Sequence, residues 1–197
     1  VEELAACGNI PVINGLTDSQ HPCQVLADLQ TIKEYKGKLK GLKLAYVGDG
    51  NNVANSLMIG CAKVGMNISV ATPEGFECDA QSVKLAKEAA AETGAIVVNG
   101  YDPNEAVKDA DVVYTDTWVS MGMESEKEKR VKIFMPYQVN KQLMQKAKDD
   151  AIFMHCLPAY RDYEVTADVI DGPQSVVFDE AENRLHAQKA VLVKLMG

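Results

Sequence analysis

The stretch "LKLAYVGDGNNVANSLMIGCAKVGMNISVATP", residues 42–73, contains a strand, a helix and a second strand in succession. Residues 42–49 form a short apolar run, and residues 50–65 have the pattern of a helix that ends at a glycine. A second apolar run covers residues 67–73. Strands that are apolar throughout are typical of a sheet with both faces covered, and a helix between two such strands indicates a parallel pair. The stretch therefore predicts a parallel α/β sheet.

The same alternation continues along the chain. Three further strands are predicted, over residues 95–99, 110–118 and 151–156. Helices are predicted over residues 21–36, 79–94, 102–109, 136–148 and 181–196. Regular alternation of strands and helices predicts a Rossmann-like, doubly wound parallel sheet of five strands with helices on both faces.

Three polar loops are predicted to meet at one edge of this sheet. In doubly wound sheets, ligands bind beyond the carboxyl ends of the strands, where the strand order reverses. With the strand order 3-2-1-4-5, the loops after the first, fourth and fifth strands share that edge. These loops carry "GDGNN" (48–52), "TDTWVSMG" (115–122) and "HCLP" (155–158). We therefore expect a small-molecule site there.

The loop after the first strand allows three interpretations. Gly48 and Gly50 suggest a dinucleotide-binding loop, but the full pattern requires a further glycine where Val53 stands, and no acidic residue ends the second strand. The glycines are also compatible with a simple tight turn. In the third interpretation, Asn52 offers its amide to a ligand carboxylate at the start of a helix.

The loop after the fourth strand has the groups that an α-amino acid requires. The carboxylate of Asp116 can pair with an ammonium group, and the backbone N–H groups of Ser120 and Met121 can hold a carboxylate. The alternative is that Asp116 only caps the following turn.

Cys156, His21 and Arg184 have ordinary structural explanations when each is considered alone. A free cysteine commonly packs as a small apolar residue. His21 at a helix start would usually be exposed, and Arg184 could pair with a nearby glutamate such as Glu180. A catalytic role for these residues needs support from the rest of the chain.

Composition excludes several classes of function. The net charge of −8 and the pI of about 4.9 argue against a nucleic acid or an anionic membrane as the partner. Five cysteines without C-x-x-C spacing predict neither a disulfide framework nor a zinc site, and favour the cytoplasm. The three histidines are far apart in the sequence. No metal or organic cofactor is predicted.

Four short motifs together resemble those of the ornithine carbamoyltransferases, in the aspartate/ornithine transcarbamoylase family. They are "HPCQ" (21–24), "DTWVSMG" (116–122), "HCLP" (155–158) and "AENR" (181–184). The first occurs across transcarbamoylases, whereas Ser-Met-Gly combined with His-Cys-Leu-Pro points to ornithine. The resemblance implies transfer of a carbamoyl group from carbamoyl phosphate to the δ-amine of L-ornithine, which gives L-citrulline and phosphate.

The resemblance also implies the roles of the residues that fall on these motifs. L-ornithine would be held by Asn52, Asp116, Ser120 and Met121. Carbamoyl phosphate would be contacted by His21, Gln24, Cys156, Leu157 and Arg184. Within that set, the residues implied in catalysis are Cys156, His21 and Arg184.

One departure from the family pattern concerns phosphate binding. The family's amino-terminal domain carries a Ser-x-Arg-Thr motif and further arginines, whereas this sequence has only Arg130, Arg161 and Arg184. The resemblance therefore implies the ornithine-binding part of the enzyme. Its implied divisions are a remnant of the carbamoyl-phosphate domain (1–20), a linking helix (21–36), the ornithine-binding α/β domain (37–180) and a C-terminal linking helix (181–197).

These divisions lead to expectations about activity and partners. The chain alone is expected to be inactive, with the amino-terminal carbamoyl-phosphate domain as its partner and a homotrimer as the full-length assembly. The alternatives are a carbamoyltransferase for another amine such as putrescine, or a non-catalytic amino-acid-binding or dinucleotide-binding domain. Asp116 and the Ser-Met-Gly segment argue against putrescine, because putrescine has no carboxylate.

Overall fold

The five-stranded parallel sheet is confirmed by the structure, a computed structural model that describes residues 1–119 and 124–197. The strand order is β3-β2-β1-β4-β5, as predicted. All four strand pairs are parallel. The strands are β1 (Lys43–Val47), β2 (Asn67–Ala71), β3 (Val97–Gly100), β4 (Val112–Thr115) and β5 (Ile152–His155).

Helices connect and cover these strands. Before the sheet come α1 (Glu2–Cys7) and α2 (Pro22–Lys36). The crossover helices and the helices that follow them are α3 (Asn52–Lys63), α4 (Ala80–Thr93), α5 (Pro103–Val107), α6 (Lys127–Phe134), α7 (Lys141–Met144), α8 (Ala167–Ile170) and α9 (Val177–Met196). Among the described residues, no helix combines the length and apolar character needed to cross a bilayer.

Local signals explain where the long helices begin and end. Pro22 occupies the first turn of α2, where its missing N–H costs nothing, and Gly37 ends that helix in the left-handed region with φ 71°. The side chain of Asp79 accepts a hydrogen bond from the backbone N–H of Ser82 and so caps α4. Each of these ends was readable in the sequence.

The core has two halves because successive residues of a strand face opposite sides of the sheet. Leu44 and Tyr46 of β1 pack into one apolar cluster with α2, α3 and α4. Ala45 and Val47 pack into a second cluster with α7 and α8. Helices therefore cover both faces of β1, β2, β4 and β5, whose residues are almost all buried, whereas the edge strand β3 is partly exposed.

The structure differs from the sequence-based boundaries in the carboxyl-terminal half. The predicted helix over residues 136–148 is divided into a 3₁₀ turn (Met135–Tyr137) and the short helix α7, because Val139 between them bridges Val165 in extended conformation. The charged stretch before residue 136 forms α6, which the sequence pattern did not predict. The last helix begins at Val177 rather than near residue 181.

Candidate functional site

A cavity of about 460 Å³ lies beyond the carboxyl ends of β1, β4 and β5. The loops after these three strands line it together with part of the segment before α2. Its lining residues include His21, Asn51, Asn52, Asp116, Cys156 and Leu157. The position follows from the reversal of strand order between β1 and β4, since the connecting helices leave a crevice there.

Asp116 presents a buried carboxylate at the cavity wall. It is 6% exposed, and each of its oxygens already accepts hydrogen bonds. One oxygen accepts from the backbone N–H of Thr117 at 2.7 Å and from the Cys156 thiol at 3.0 Å. The other accepts from the side-chain amide of Asn51 at 2.7 Å. Asp116 is thus held in place by both neighbouring loops.

Cys156 is a protonated thiol in this arrangement. Its Sγ–H donates to Asp116, and burial, followed by the adjacent Asp116 carboxylate, raises the pKa of the thiol well above its ordinary value. A protonated thiol is a poor nucleophile. The geometry therefore makes Cys156 a group that orients the Asp116 carboxylate and leaves it poorly suited to act as a nucleophile.

The predicted residue Asn52 lines the cavity, but its neighbour Asn51 makes the contact with Asp116. The amide of Asn52 donates to the backbone carbonyl of Thr17 at 2.8 Å and so ties the segment before α2 to the sheet. Asn51 caps α3 by accepting from the backbone N–H groups of Val53 and Ala54. Sequence reasoning missed Asn51, although asparagine at a helix cap was a usable signal.

His21 is a buried histidine whose ring has a free nitrogen. Its backbone N–H donates to Ser56 Oγ at 2.8 Å, and Nδ1 has no hydrogen-bond partner among the described residues. Burial, followed by the positive charge of Arg184, lowers the pKa of His21. The imidazole is therefore neutral at neutral pH and can form one further hydrogen bond with a ligand.

Gln24 and Arg184 lie next to His21 but are not among the described cavity-lining residues. Gln24 is 1% exposed, and its carbonyl oxygen accepts from the Arg184 guanidinium at 2.5 Å. Arg184 Nε is buried without a partner among the described residues. The structure thus brings five of the predicted residues to the cavity, namely His21, Asn52, Asp116, Cys156 and Leu157, and leaves Gln24 and Arg184 just behind it.

The backbone of the loop after β5 is fixed by a buried histidine and glutamate. Leu157, with φ 55°, donates its backbone N–H to His155 Nδ1 at 2.9 Å, which leaves the proton of the neutral ring on Nε2. That nitrogen faces the carboxylate of Glu164 at 3.3 Å. Both side chains are almost fully buried, so the pair holds Leu157 in its unusual conformation.

Two predicted residues, Ser120 and Met121, lie outside the described residues. Trp118, which precedes them in the chain, is anchored by Arg130. The Arg130 guanidinium donates to the Trp118 carbonyl and forms a buried ion pair with Asp49. Burial raises the pKa of Asp49 to about 6, although Arg130 acts in the opposite direction. Sequence reasoning missed this ion pair because Arg130 stood within a charged stretch.

The cavity wall is acidic. Its described carboxyl groups are those of Asp18, Asp49, Asp116 and Glu164, and its described ammonium group is that of Lys127. Asp49 is paired with Arg130 and Glu164 faces His155, which leaves Asp116 as the buried acid available to a ligand. Such a wall suits a ligand that carries a cationic group.

The loop after β1 is packed too tightly for a dinucleotide. Gly50 donates its backbone N–H to the Phe76 carbonyl at 2.9 Å, and a side chain at Gly50 would overlap the backbone of Glu77 and Cys78. In a dinucleotide-binding loop, the pyrophosphate would approach this turn. Here the chain's own residues fill that space, which supports the tight-turn interpretation.

A metal would have to compete with existing hydrogen bonds. Among the described residues, Asp116, His155 and Cys156 bring potential ligand atoms within 4.8 Å of one another. The thiol donates to Asp116, and both ring nitrogens of His155 already face protein partners. These groups therefore satisfy one another as a hydrogen-bond network.

Alkylation of the cysteines tests the protonation state of Cys156. At about pH 8, iodoacetamide is expected to modify the exposed Cys7 at least about tenfold faster than Cys156, because the thiolate is the reactive form and the pKa of Cys156 is raised. Mass spectrometry of peptides taken at intervals gives both rates from one sample. Equal alkylation rates for Cys7 and Cys156 would show that the Cys156 thiol is neither buried nor raised in pKa as the structure indicates.

Family models match both parts of the chain. The model described as aspartate/ornithine carbamoyltransferase, Asp/Orn binding domain, matches residues 40–195. The model of the carbamoyl-P binding domain of the same family matches residues 1–34.

Known relatives agree with this match. The ornithine carbamoyltransferase of Thermococcus kodakarensis is 64% identical over 197 residues, which are 100% of this chain and 62% of that protein. That of Bacillus subtilis is 60% identical over 196 residues and is covered to 61% of its length. The solved ornithine carbamoyltransferase from Pyrococcus furiosus aligns with a TM-score of 0.96 and 61% identity over 100% of this chain and 63% of that chain. The chain spans less than two thirds of the length of these relatives, and the match over most of its residues shows that it belongs to the aspartate/ornithine carbamoyltransferase family.

Proposed function

We propose that this chain forms the ornithine-binding part of an enzyme that transfers a carbamoyl group from carbamoyl phosphate to the δ-amine of L-ornithine. The products are L-citrulline and phosphate. The observation that carries the proposal is the buried carboxylate of Asp116, which Asn51 and Cys156 hold at the cavity wall. Among the described residues, no cationic side chain forms an ion pair with this carboxylate. Membership of the family supports the same reaction.

Ornithine is proposed to bind through its amino-acid end. The α-ammonium pairs with Asp116, where a charge-assisted hydrogen bond in a partly dry site is strong. Its α-carboxylate is held by Asn52 and by the backbone of Ser120 and Met121. This arrangement directs the side chain of ornithine along the cavity and leaves the δ-amine free to reach Cys156 and Leu157.

The carbamoyl group is proposed to bind at the start of α2. His21 and Arg184 each have a buried nitrogen without a partner among the described residues, and both can donate to the carbamoyl oxygen. Gln24 accepts from the carbamoyl NH₂ group once Arg184 turns toward the substrate. The carbonyl of Leu157 and the Cys156 sulfur complete the proposed reacting centre.

The proposed reaction is direct acyl transfer. The lone pair of the neutral δ-amine attacks the carbamoyl carbon, a C–N bond forms, and the carbonyl electrons move to oxygen. The tetrahedral oxyanion is stabilised by His21 and Arg184, because donors already aimed at the developing charge lower the barrier. The C–O bond to phosphate then breaks, its electrons leave with phosphate, and the amine proton passes to phosphate or solvent.

The division of the chain is proposed from the same family. Residues 1–20 belong to the carbamoyl-phosphate domain, residues 21–36 and 181–197 link the two domains, and residues 37–180 bind ornithine. Apolar side chains near the start support this division: Leu4, Ile10 and Leu16 are 69%, 76% and 56% exposed. A further domain would cover them. We propose a cytoplasmic homotrimer as the full-length assembly.

Transfer assays on two forms of the protein test the proposal. The 197-residue chain alone is expected to make no detectable citrulline from ornithine and carbamoyl phosphate, because its arginines are too few to hold the phosphate. The second form, called the joined protein, is this chain fused to the part of the Thermococcus kodakarensis protein that it does not cover. The joined protein is expected to produce citrulline. The readout is colorimetric detection of citrulline, with putrescine as the competing amine.

Three contrary outcomes have separate meanings. Absence of citrulline from the joined protein, with normal folding, would overturn the proposed reaction. Transfer by the chain alone would overturn only the division of labour between the two parts. Preference for putrescine over ornithine would overturn the proposed role of Asp116.

A further inference from the structure

Two buried carboxyl groups lie between α2 and α9, behind the proposed carbamoyl end of the site. Asp28 from α2 and Glu180 from α9 are both fully buried. No described arginine, lysine or histidine forms an ion pair with either of them. Buried acids without such a partner are costly, so their contacts need an explanation.

The two acids converge on one side-chain amide. Gln24 Nε2 donates to Asp28 Oδ1 at 2.8 Å and to Glu180 Oε1 at 3.2 Å. Tyr114 Oη donates to the same Glu180 oxygen at 3.0 Å, and the backbone N–H of His155 donates to the other at 2.9 Å. Both hydrogens of the Gln24 amide are therefore occupied by the acids.

This arrangement fixes the orientation of Gln24. If the amide were rotated by half a turn, its carbonyl oxygen would face two carboxyl oxygens and lose both hydrogen bonds. The observed orientation turns the carbonyl oxygen toward Arg184, whose guanidinium lies 2.5 Å away. Gln24 can therefore only accept hydrogen bonds on the side that faces the site.

The surroundings allow the pair one negative charge. The titratable and charged groups that face it are Tyr114 from β4, Cys61 from α3, Cys156 after β5 and Arg184 from α9. Of these described groups, Arg184 is the cation, and it contacts Gln24 rather than the acids. Burial raises the pKa of Asp28 to about 7, and burial together with Asp28 raises the pKa of Glu180. The contact between the two acids raises the pKa of Glu180 and lowers that of Asp28, so the proton that the pair keeps resides on Glu180 and faces Asp28.

We propose that Asp28 and Glu180 are positioning residues that share one proton and hold Gln24 so that only its carbonyl oxygen faces the carbamoyl group. The part that concerns the carbamoyl group rests on the proposed function. A carbonyl acceptor at this point matches the NH₂ of a carbamoyl group and offers nothing to a methyl group. The pair therefore favours carbamoyl phosphate over acetyl phosphate without touching either.

The shared proton is tested on the 197-residue chain through the pH dependence of its stability. The folded pair keeps protons that Asp28 loses above pH 3.8 and Glu180 loses above pH 4.5 when the chain is unfolded, so the pair's contribution to stability decreases as the pH rises from 3.8 to about 7. In Asp28→Asn, the slope of the unfolding free energy against pH is expected to be smaller, by the amount that corresponds to about one bound proton per molecule. Urea unfolding across that pH range measures it.

Matched variants keep this test decisive. Glu92→Gln removes an exposed acid from another helix, α4, and is expected to keep the pH dependence of the unchanged chain. Glu180→Gln is expected to flatten the dependence as Asp28→Asn does. If both variants follow the unchanged chain, the shared proton is disproved.

The positioning role is tested in the joined protein by comparing carbamoyl phosphate with acetyl phosphate. Asp28→Ala is expected to lower the ratio of carbamoyl to acetyl transfer by about tenfold, the effect of one misdirected hydrogen bond. Asp28→Asn keeps a carbonyl that accepts from Gln24 and is expected to restore most of the ratio. A structural defect would lower both rates equally, and that result would disprove the positioning role. Failure of the unchanged joined protein to transfer any carbamoyl group would overturn the proposed function, whereas the shared proton is decided by the stability measurement.

Discussion

Asp116→Asn in the joined protein is expected to lower kcat/KM for ornithine by about a hundredfold or more. Truncating one partner of a buried charged hydrogen bond commonly costs ~3 kcal/mol, and each factor of ten corresponds to about 1.4 kcal/mol. Most of the effect should appear in KM, because the α-ammonium is held equally in the bound and transition states. Steady-state kinetics with varied ornithine measures it.

The control for Asp116→Asn is Asp168→Asn, an exposed acid on α8 away from the cavity. This variant is expected to match the unchanged protein in both kcat and KM. Circular dichroism of each variant checks folding, since Asp116 also accepts from Thr117, Cys156 and Asn51. An unchanged KM for ornithine in a folded Asp116→Asn protein would remove Asp116 from the ornithine site.

Gly50→Ala is expected to destabilise the chain by about 3 kcal/mol, at the upper end of the usual cost of overpacking. The added methyl group would overlap the backbone of Glu77 and Cys78, and backbone cannot move aside as a flexible side chain can. The turn that it would displace leads directly into Asn51, which caps α3 and contacts Asp116.

Urea unfolding measures the free-energy change for Gly50→Ala. Gly100→Ala is the matched control, because a Cβ at Gly100 has nothing within 4 Å. The control is expected to remain within about 1 kcal/mol of the unchanged chain. Similar stabilities for the two variants would show that the turn has more room than the structure indicates.

The fold was predictable because its determinants are local. Each strand of the sheet is a short apolar run, and glycines such as Gly37 and Gly94 end the helices where the pattern stops. The helix boundaries after β4 were not predictable, because α6 lies in a charged stretch that has no apolar periodicity. Its Arg130 is buried through an ion pair with Asp49, which is distant in the sequence.

The candidate site was predictable to the level of loops but not of contacts. The loops with Asp116 and Cys156 could be placed at one edge from strand order alone, and the two side chains lie within hydrogen-bonding distance. Which of two adjacent asparagines faces Asp116 depends on how α3 begins. The burial of Asp28 and Glu180 was not predictable, because acids on helices usually lie at the surface, and the expected pairing of Glu180 with Arg184 is not formed. Their burial follows from the packing of two helices that are far apart in sequence.

The crowded environment of Asp116 limits which cations it can accept. A carboxylate has roughly four lone-pair positions, and three are filled by Thr117, Cys156 and Asn51. A single vacancy suits a primary ammonium, which can donate along one direction at a time. A guanidinium donates through two parallel N–H bonds and needs two free positions on the same group. Arginine's side chain would therefore find an incomplete match where an amino group fits.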